Sequence, residues 1–169
     1  MTTKLKVCLI GATGVGKTSL VSRYVDSVFS DLYRTTIGVK IETTTVRRDA
    51  GDVQLVIWDI SGEDEFQSVQ PAYLAGAAAY LVVIDGTRRH TADTASALID
   101  RMRPVHGRVP YVVAVNKADL TSAWELPPAD IDRFREDAAA IVQTSARSGA
   151  GVAEAFEHVV DAILAGGAP

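Results

Sequence analysis

The chain has 169 residues, about half of them apolar and about a fifth charged, enough for a single domain (1–169) with a buried core. A net charge of −4 gives no general attraction to nucleic acid or to an anionic membrane, and no apolar run approaches bilayer-spanning length. The one cysteine, Cys8, cannot form an internal disulfide, which suits a reducing cytoplasm and a buried thiol.

Residues 4–10 form a strand-like run that breaks into Gly11-Ala12-Thr13-Gly14-Val15-Gly16-Lys17-Thr18 ahead of a helical pattern. This is G-x-x-x-x-G-K-[ST] in the strand-to-helix setting that a phosphate-binding loop requires. Glycines let backbone N–H groups turn toward an anion without a Cβ in the way. The helix that follows adds its positive end and its unpaired N–H groups. Lys17 supplies a point charge for the β- and γ-phosphates, and the Thr18 hydroxyl is a hard ligand for Mg²⁺. These residues predict a nucleoside di- or triphosphate as ligand.

The Thr-rich stretch 41–48, closed by Gly51-Asp52 onto a second run at 54–58, predicts a hairpin and an antiparallel edge strand. Runs 80–84 and 111–115 are short, apolar and β-branched, as strands covered on both faces are. A sixth strand is predicted at 141–144. Leu98, Ile99, Met102 and Val105 make a helical core stripe between the fourth and fifth strands. Another helix is predicted at 130–139, behind Pro127-Pro128. The last helix places Val152, Phe156, Val159, Val160, Ile163 and Leu164 on one face. Such alternation predicts an α/β fold: a six-stranded, mainly parallel sheet with one antiparallel edge strand and helices on both faces. Ligands then gather at the carboxyl ends of the strands.

Three further segments fall at those ends. Asp59-Ile60-Ser61-Gly62 closes the third strand, where an aspartate can hold Mg²⁺ and Gly62 can bring a backbone N–H to a γ-phosphate. Asn116-Lys117-Ala118-Asp119 closes the fifth. A carboxylate there accepts two parallel hydrogen bonds from guanine N1–H and its exocyclic amine, and would be left unpaired by adenine. Lys117 can lay its aliphatic stem over the base, and Asn116 can tie this loop to the phosphate loop. Thr144-Ser145-Ala146 follows the sixth strand, with the Ala146 N–H available to guanine O6.

Taken in this order and spacing, the four segments resemble the Ras superfamily of small GTPases over essentially the whole chain. Residues 58–66 and 33–38 look most like the Rab branch or the Rab-like GTPases of prokaryotes. The resemblance implies a phosphate-loop GTPase that binds GTP or GDP with Mg²⁺. The nucleotide would lie on Gly11, Thr13, Gly14, Val15, Gly16, Lys17, Thr18 and Ser19, and on Asn116, Lys117, Asp119, Ser145, Ala146 and Arg147. Thr36 would be the first-switch threonine, completing the Mg²⁺ shell with Thr18 and Asp59. Phe29 matches the aromatic that meets guanine edge-on, and Tyr33 the one that covers the phosphates. Hydrolysis would use Lys17, Thr36, Gly62 and the residue after it. Effectors and GTPase-activating proteins would read residues 30–40 and 60–75, with Ile37, Trp58, Phe66 and Tyr73 as candidate anchors.

Departures from the family are specific. The glutamine that orients the attacking water is replaced by Glu63, which cannot donate when ionised and adds negative charge beside the γ-phosphate. Slow unassisted hydrolysis is expected, unless Glu63 acts as a base or swings away. Thr13 stands where Ras itself has glycine. No prenylatable cysteine is present and residue 2 is Thr, so no direct lipid anchor is expected. The expectation is a cytoplasmic monomer with no nucleic-acid partner. Arg34, Arg47-Arg48, Arg88-Arg89 and Glu63-Asp64-Glu65 are expected to be solvated, and the three histidines suggest no metal cluster. The other reading is a GTP-bound interaction module with negligible hydrolysis; an ATP-using enzyme conflicts with Asp119.

Overall fold

A computed structural model describes residues 2–26, 38–61 and 71–166. Six strands, β1 (Thr3–Ile10), β2 (Gly38–Val46), β3 (Val53–Ser61), β4 (Ala79–Asp85), β5 (Tyr111–Asn116) and β6 (Ala140–Gln143), form one sheet in the order β2-β3-β1-β4-β5-β6. Only β2 runs antiparallel, at the edge, as its hairpin pattern predicts. The hairpin closes with the Gly51 N–H donating to the Arg48 carbonyl at 3.0 Å. Helices α1 (Lys17–Asp26), α2 (Pro71–Leu74), α3 (His90–His106), α4 (Pro128–Asp132) and α5 (Val152–Ala165) connect and cover the strands.

Both faces of the sheet are covered, so its central strands are apolar throughout: β4 and β5 are buried at every position. Alternation along β1 sends Leu5, Val7 and Leu9 into a core with α1 and α5, and Cys8 and Ile10 into a second core under α3. In the first core the Tyr24 and Phe156 rings stack at 4.0 Å, locking α1 against α5. With the core made of strand and helix interiors, the polar strand ends are left at one end of the sheet.

Three helix expectations change. The segment predicted as a helix over 130–139 is helical only over Pro128–Asp132. Pro128 starts it two residues early, because a proline's missing N–H and fixed φ suit a first turn. Beyond it the bonds tighten to i−3: the Phe134 N–H donates to Ile131 and the Arg135 N–H to Asp132. Val105 is 60% exposed rather than in the core stripe. It lies on the same side of α3 as Met102, so the last turn outruns the core beneath it. Leu164 is 46% exposed: at 100° per residue it falls on the flank of the stripe that Ile163 continues into the core.

Candidate functional site

Parallel register brings the polar strand ends together. Asp59 on β3 pairs with Leu9 on β1, and Asp85 on β4 pairs with Asn116 on β5. Residues 11–16 emerge from β1 between these ends. Gly11, Gly14 and Gly16 have φ of 153°, 77° and 102°, values that side-chain-bearing residues rarely adopt. Space excludes a Cβ as well. On Gly11 it would lie 2.4 Å from the Val83 carbonyl oxygen, and on Gly16 2.3 Å from Asn116 Nδ2. The loop is therefore pressed against the ends of β4 and β5.

Lys17 begins α1 and is buried, its Nζ donating to the Gly11 and Ala12 carbonyls at 2.9 and 3.0 Å. The ammonium thus folds back over the loop. Thr18 Oγ1 donates to Asp59 Oδ2 at 2.5 Å across 41 residues of sequence. Asp59 is fully buried, and a hydroxyl beside an enclosed carboxylate is a hard-oxygen pair that fits Mg²⁺. Among the described residues no group of three His, Cys, Asp or Glu side chains could hold a metal. A cation here would therefore share its shell with phosphate oxygens and water. Ser19 is half-buried one residue into the helix.

Asn116, 2% exposed, is the junction of the site. Its Nδ2 donates to the Val15 carbonyl at 2.9 Å, while Oδ1 accepts from Thr144 Oγ1 at 3.1 Å and from the Ala146 N–H at 3.3 Å. One amide therefore joins the phosphate loop, the end of β5 and the loop after β6. Lys117 sits at a φ of 67°, the one positive φ outside glycine among the described residues, and its Nζ donates to the Gly14 carbonyl at 3.1 Å. Asp119 is exposed, with Oδ1 accepting from the buried Ser145 hydroxyl at 2.8 Å. Arg147 is exposed at the rim.

The structure thus brings the phosphate loop, Asp59 and the two loops after β5 and β6 to one end of the sheet. Phe29, Tyr33, Thr36, Ile37, Gly62, Glu63 and Phe66 lie outside the described residues. Trp58 and Tyr73 are half-buried and pack on the second core, and Lys6 Nζ lies 3.7 Å from the Trp58 ring centroid. Trp58 is therefore part of the packing more than a free anchor.

Several of the arginines expected to be solvated have partners, Arg48 and Arg88 at partly buried positions and Arg89 while still exposed. Arg48 pairs with Glu157 at 2.6 Å and Asp161 at 2.9 Å, and Arg89 with Asp130 at 2.7 Å. Arg88 donates to Asp85 and to the Thr13 carbonyl, each at 2.9 Å. Asp85 is the site residue that sequence reasoning missed. Its signal was available: a lone carboxylate that closes an apolar strand directly before a glycine, as Asp59 ends the apolar run of β3 three residues before Gly62.

A glycine-rich loop running from a strand into a helix, with polar loops at neighbouring strand ends, defines a phosphate-loop nucleotide-binding domain. Residues 6–165 match the Ras family's model. The chain is 37% identical over 159 residues to Ras-related protein Rab-22A of Mus musculus, covering 92% of this chain and 81% of that protein. It is 36% identical over the same shares to Rab-31 of Homo sapiens. Against Rab-25 of Homo sapiens it is 37% identical over 163 residues, or 95% and 76% of the two chains. The chain belongs to the Ras family of small GTPases and, within it, is Rab-like: a GTP-binding switch that hydrolyses its nucleotide.

Proposed function

We propose that this G domain, residues 1–169, selects guanine through Asp119 and works with Mg²⁺ held by Thr18 and Asp59. We also propose that Glu63 makes its unassisted hydrolysis slow. The observation that carries the reading is the 2.5 Å contact between Thr18 Oγ1 and Asp59 Oδ2. It links the first helical turn after the phosphate loop to the end of β3, the strand that leads directly into Gly62 and Glu63. A γ-phosphate bound beside this pair would be within reach of both segments that Rab-like switches reorder.

Each residue then has a role. Lys17 Nζ exchanges its carbonyl partners for β- and γ-phosphate oxygens and offsets charge as the bond to the leaving group breaks. Thr36 and the Gly62 N–H hold the γ-phosphate side and let go once it leaves, which relaxes residues 30–40 and 60–75 and removes the surface that effectors and GTPase-activating proteins read. A bound Mg²⁺ would neutralise charge on the β- and γ-oxygens. Asp119 takes guanine N1–H and the exocyclic amine, Lys117 covers the ring, and the Ala146 N–H turns from Asn116 to O6. Glu63, when ionised, accepts a hydrogen bond from water but donates none, so the attacking water is poorly oriented beside like charge.

Single-turnover GTP hydrolysis by wild type and Glu63→Gln tests the proposal, alongside displacement of bound GDP by ATP and GTP. A tenfold faster variant would mean that the glutamate costs about 1.4 kcal/mol of transition-state stabilisation. Equal rates would remove Glu63 as the brake. No turnover by either protein would leave a nucleotide-bound interaction module. Equal displacement by ATP would defeat the guanine assignment.

A further inference from the structure

Asp85 ends β4 as a fully buried carboxylate with four donors. Its Oδ1 accepts from the Thr87 N–H at 2.9 Å and the Thr87 hydroxyl at 2.6 Å. Its Oδ2 receives Lys117 Nζ at 2.7 Å and Arg88 Nε at 2.9 Å. Each of these two cations also donates to the phosphate loop, on adjacent residues. Lys117 Nζ reaches the Gly14 carbonyl at 3.1 Å, and Arg88 Nη2 reaches the Thr13 carbonyl at 2.9 Å. One buried carboxylate therefore holds two cations, and the cations hold two consecutive loop carbonyls.

We propose that Asp85 and Arg88 are positioning residues that clamp the phosphate loop to the guanine-binding loop, and that Arg88 slows nucleotide release by fixing the Thr13–Gly14 peptide. The inference rests on the guanine-nucleotide reading of this site. A trans peptide directs its carbonyl and the next N–H to opposite sides. A donor held on the Thr13 carbonyl therefore turns the Gly14 N–H away from the clamp, which leaves it to a phosphate. Two cations against one carboxylate also leave the cluster net positive beside the loop, which favours an anion there. Among the described residues the two cations share Asp85 Oδ2, and Thr87 supplies both donors to Oδ1.

The two cations should separate by ligand. Lys117 is proposed to border the base, whereas Arg88 touches the phosphate loop directly and reaches Lys117 only through Asp85. Arg88→Ala is therefore expected to weaken GDP more than GMP, which lacks the β-phosphate. Fluorescent-GDP release with excess unlabelled GDP, and competition by GDP and GMP, are measured on the full chain for wild type, Arg88→Ala, Arg88→Lys and Asp85→Asn. Arg88→Ala should release GDP about tenfold faster, the effect of ~1.4 kcal/mol, with GMP competition within about twofold of wild type. Arg88→Lys, which keeps the charge but lacks a fork reaching both oxygens, should restore less than half of the loss on a logarithmic scale. Asp85→Asn should weaken both ligands, because it frees Lys117 too.

Unchanged GDP release by Arg88→Ala, with wild type binding GDP tightly, would overturn the clamp and leave the guanine reading standing. Equal weakening of GDP and GMP by Arg88→Ala would also overturn it, since that is what general loss of folding produces. Wild type that retains no guanine nucleotide would overturn the parent reading and the clamp with it. If Asp85→Asn fails to fold, the half-exposed Arg88 still decides the question.

Discussion

Asn116 Nδ2 donates to the Val15 carbonyl at 2.9 Å, joining the end of β5 to the phosphate loop across 101 positions of sequence. The same amide nitrogen is what a Cβ on Gly16 would strike at 2.3 Å. Base loop and phosphate loop are thus one packed unit at this point, and a change in either is felt by the other.

Asn116→Ala should leave the Val15 carbonyl and the Thr144 hydroxyl without their shared partner at a buried place. Unmade buried hydrogen bonds cost about 1–3 kcal/mol each, so GDP release should accelerate by one to several orders of magnitude. Gly16→Ala should do the same by collision and by forcing alanine to a φ of 102°. Stopped-flow release of fluorescent GDP measures both, and a wild-type rate in either variant would disprove the coupling.

Metal removal should expose the Thr18–Asp59 pair. In wild type, chelation of Mg²⁺ by EDTA should speed GDP release by at least about tenfold, in keeping with a divalent ion shared between protein and phosphates. In Asp59→Ala the protein should already release GDP fast, and EDTA should add little. An Asp59→Ala protein that responds to EDTA as wild type does would show that Asp59 does not hold the ion.

The stability profile should fall at both ends of the pH scale for separate reasons. Burial alone would raise the Asp85 pKa, but hydrogen bonds from Lys117, Thr87 and Arg88 outweigh it and hold the carboxyl below its ordinary value. Its contribution is therefore present above about pH 4, the unfolded value, and is lost as pH falls through the native pKa. Cys8 runs the other way. Burial pushes its thiol up from 9.0 to about 12, against a smaller opposing pull from Lys6, so its contribution is present below pH 9 and declines as pH rises toward 12. Thermal melts across pH should show the acid limb flattened in Asp85→Asn and the alkaline limb flattened in Cys8→Ala. At pH 8 a thiol reagent should label Cys8 only after unfolding.

Phe156→Ala should be the costly core change. The ring is fully buried on α5 and stacks on Tyr24 of α1 at 4.0 Å, so its loss opens a cavity between two helices. A decrease of about 3–5 kcal/mol in unfolding free energy is expected from urea denaturation. A loss under about 1 kcal/mol would mean that the helices close over the gap.

Local pattern was enough to read the phosphate loop, the six strands, the edge hairpin and the loops after β5 and β6. Each of these is written in neighbouring residues, as a glycine spacing, an apolar run or a helical stripe. The length of α4 was not legible, because Pro128 and a tightening of the bonds after Asp132 set it rather than apolar periodicity. Nor was the exposure of Val105, whose angle on α3 suits the core although the residue is 60% exposed. Arg88 read as one more solvated charge because nothing near it in sequence marks the Thr13 carbonyl as its partner. That contact spans 75 positions and exists because the sheet order sets β4 beside β1 and β5, carrying Asp85 to the phosphate loop and level with Asn116. The sequence by itself determined which groups this protein has for holding a nucleotide. Only the tertiary structure decided which of them hold one another, since such pairings depend on distances across the sheet that no local periodicity encodes.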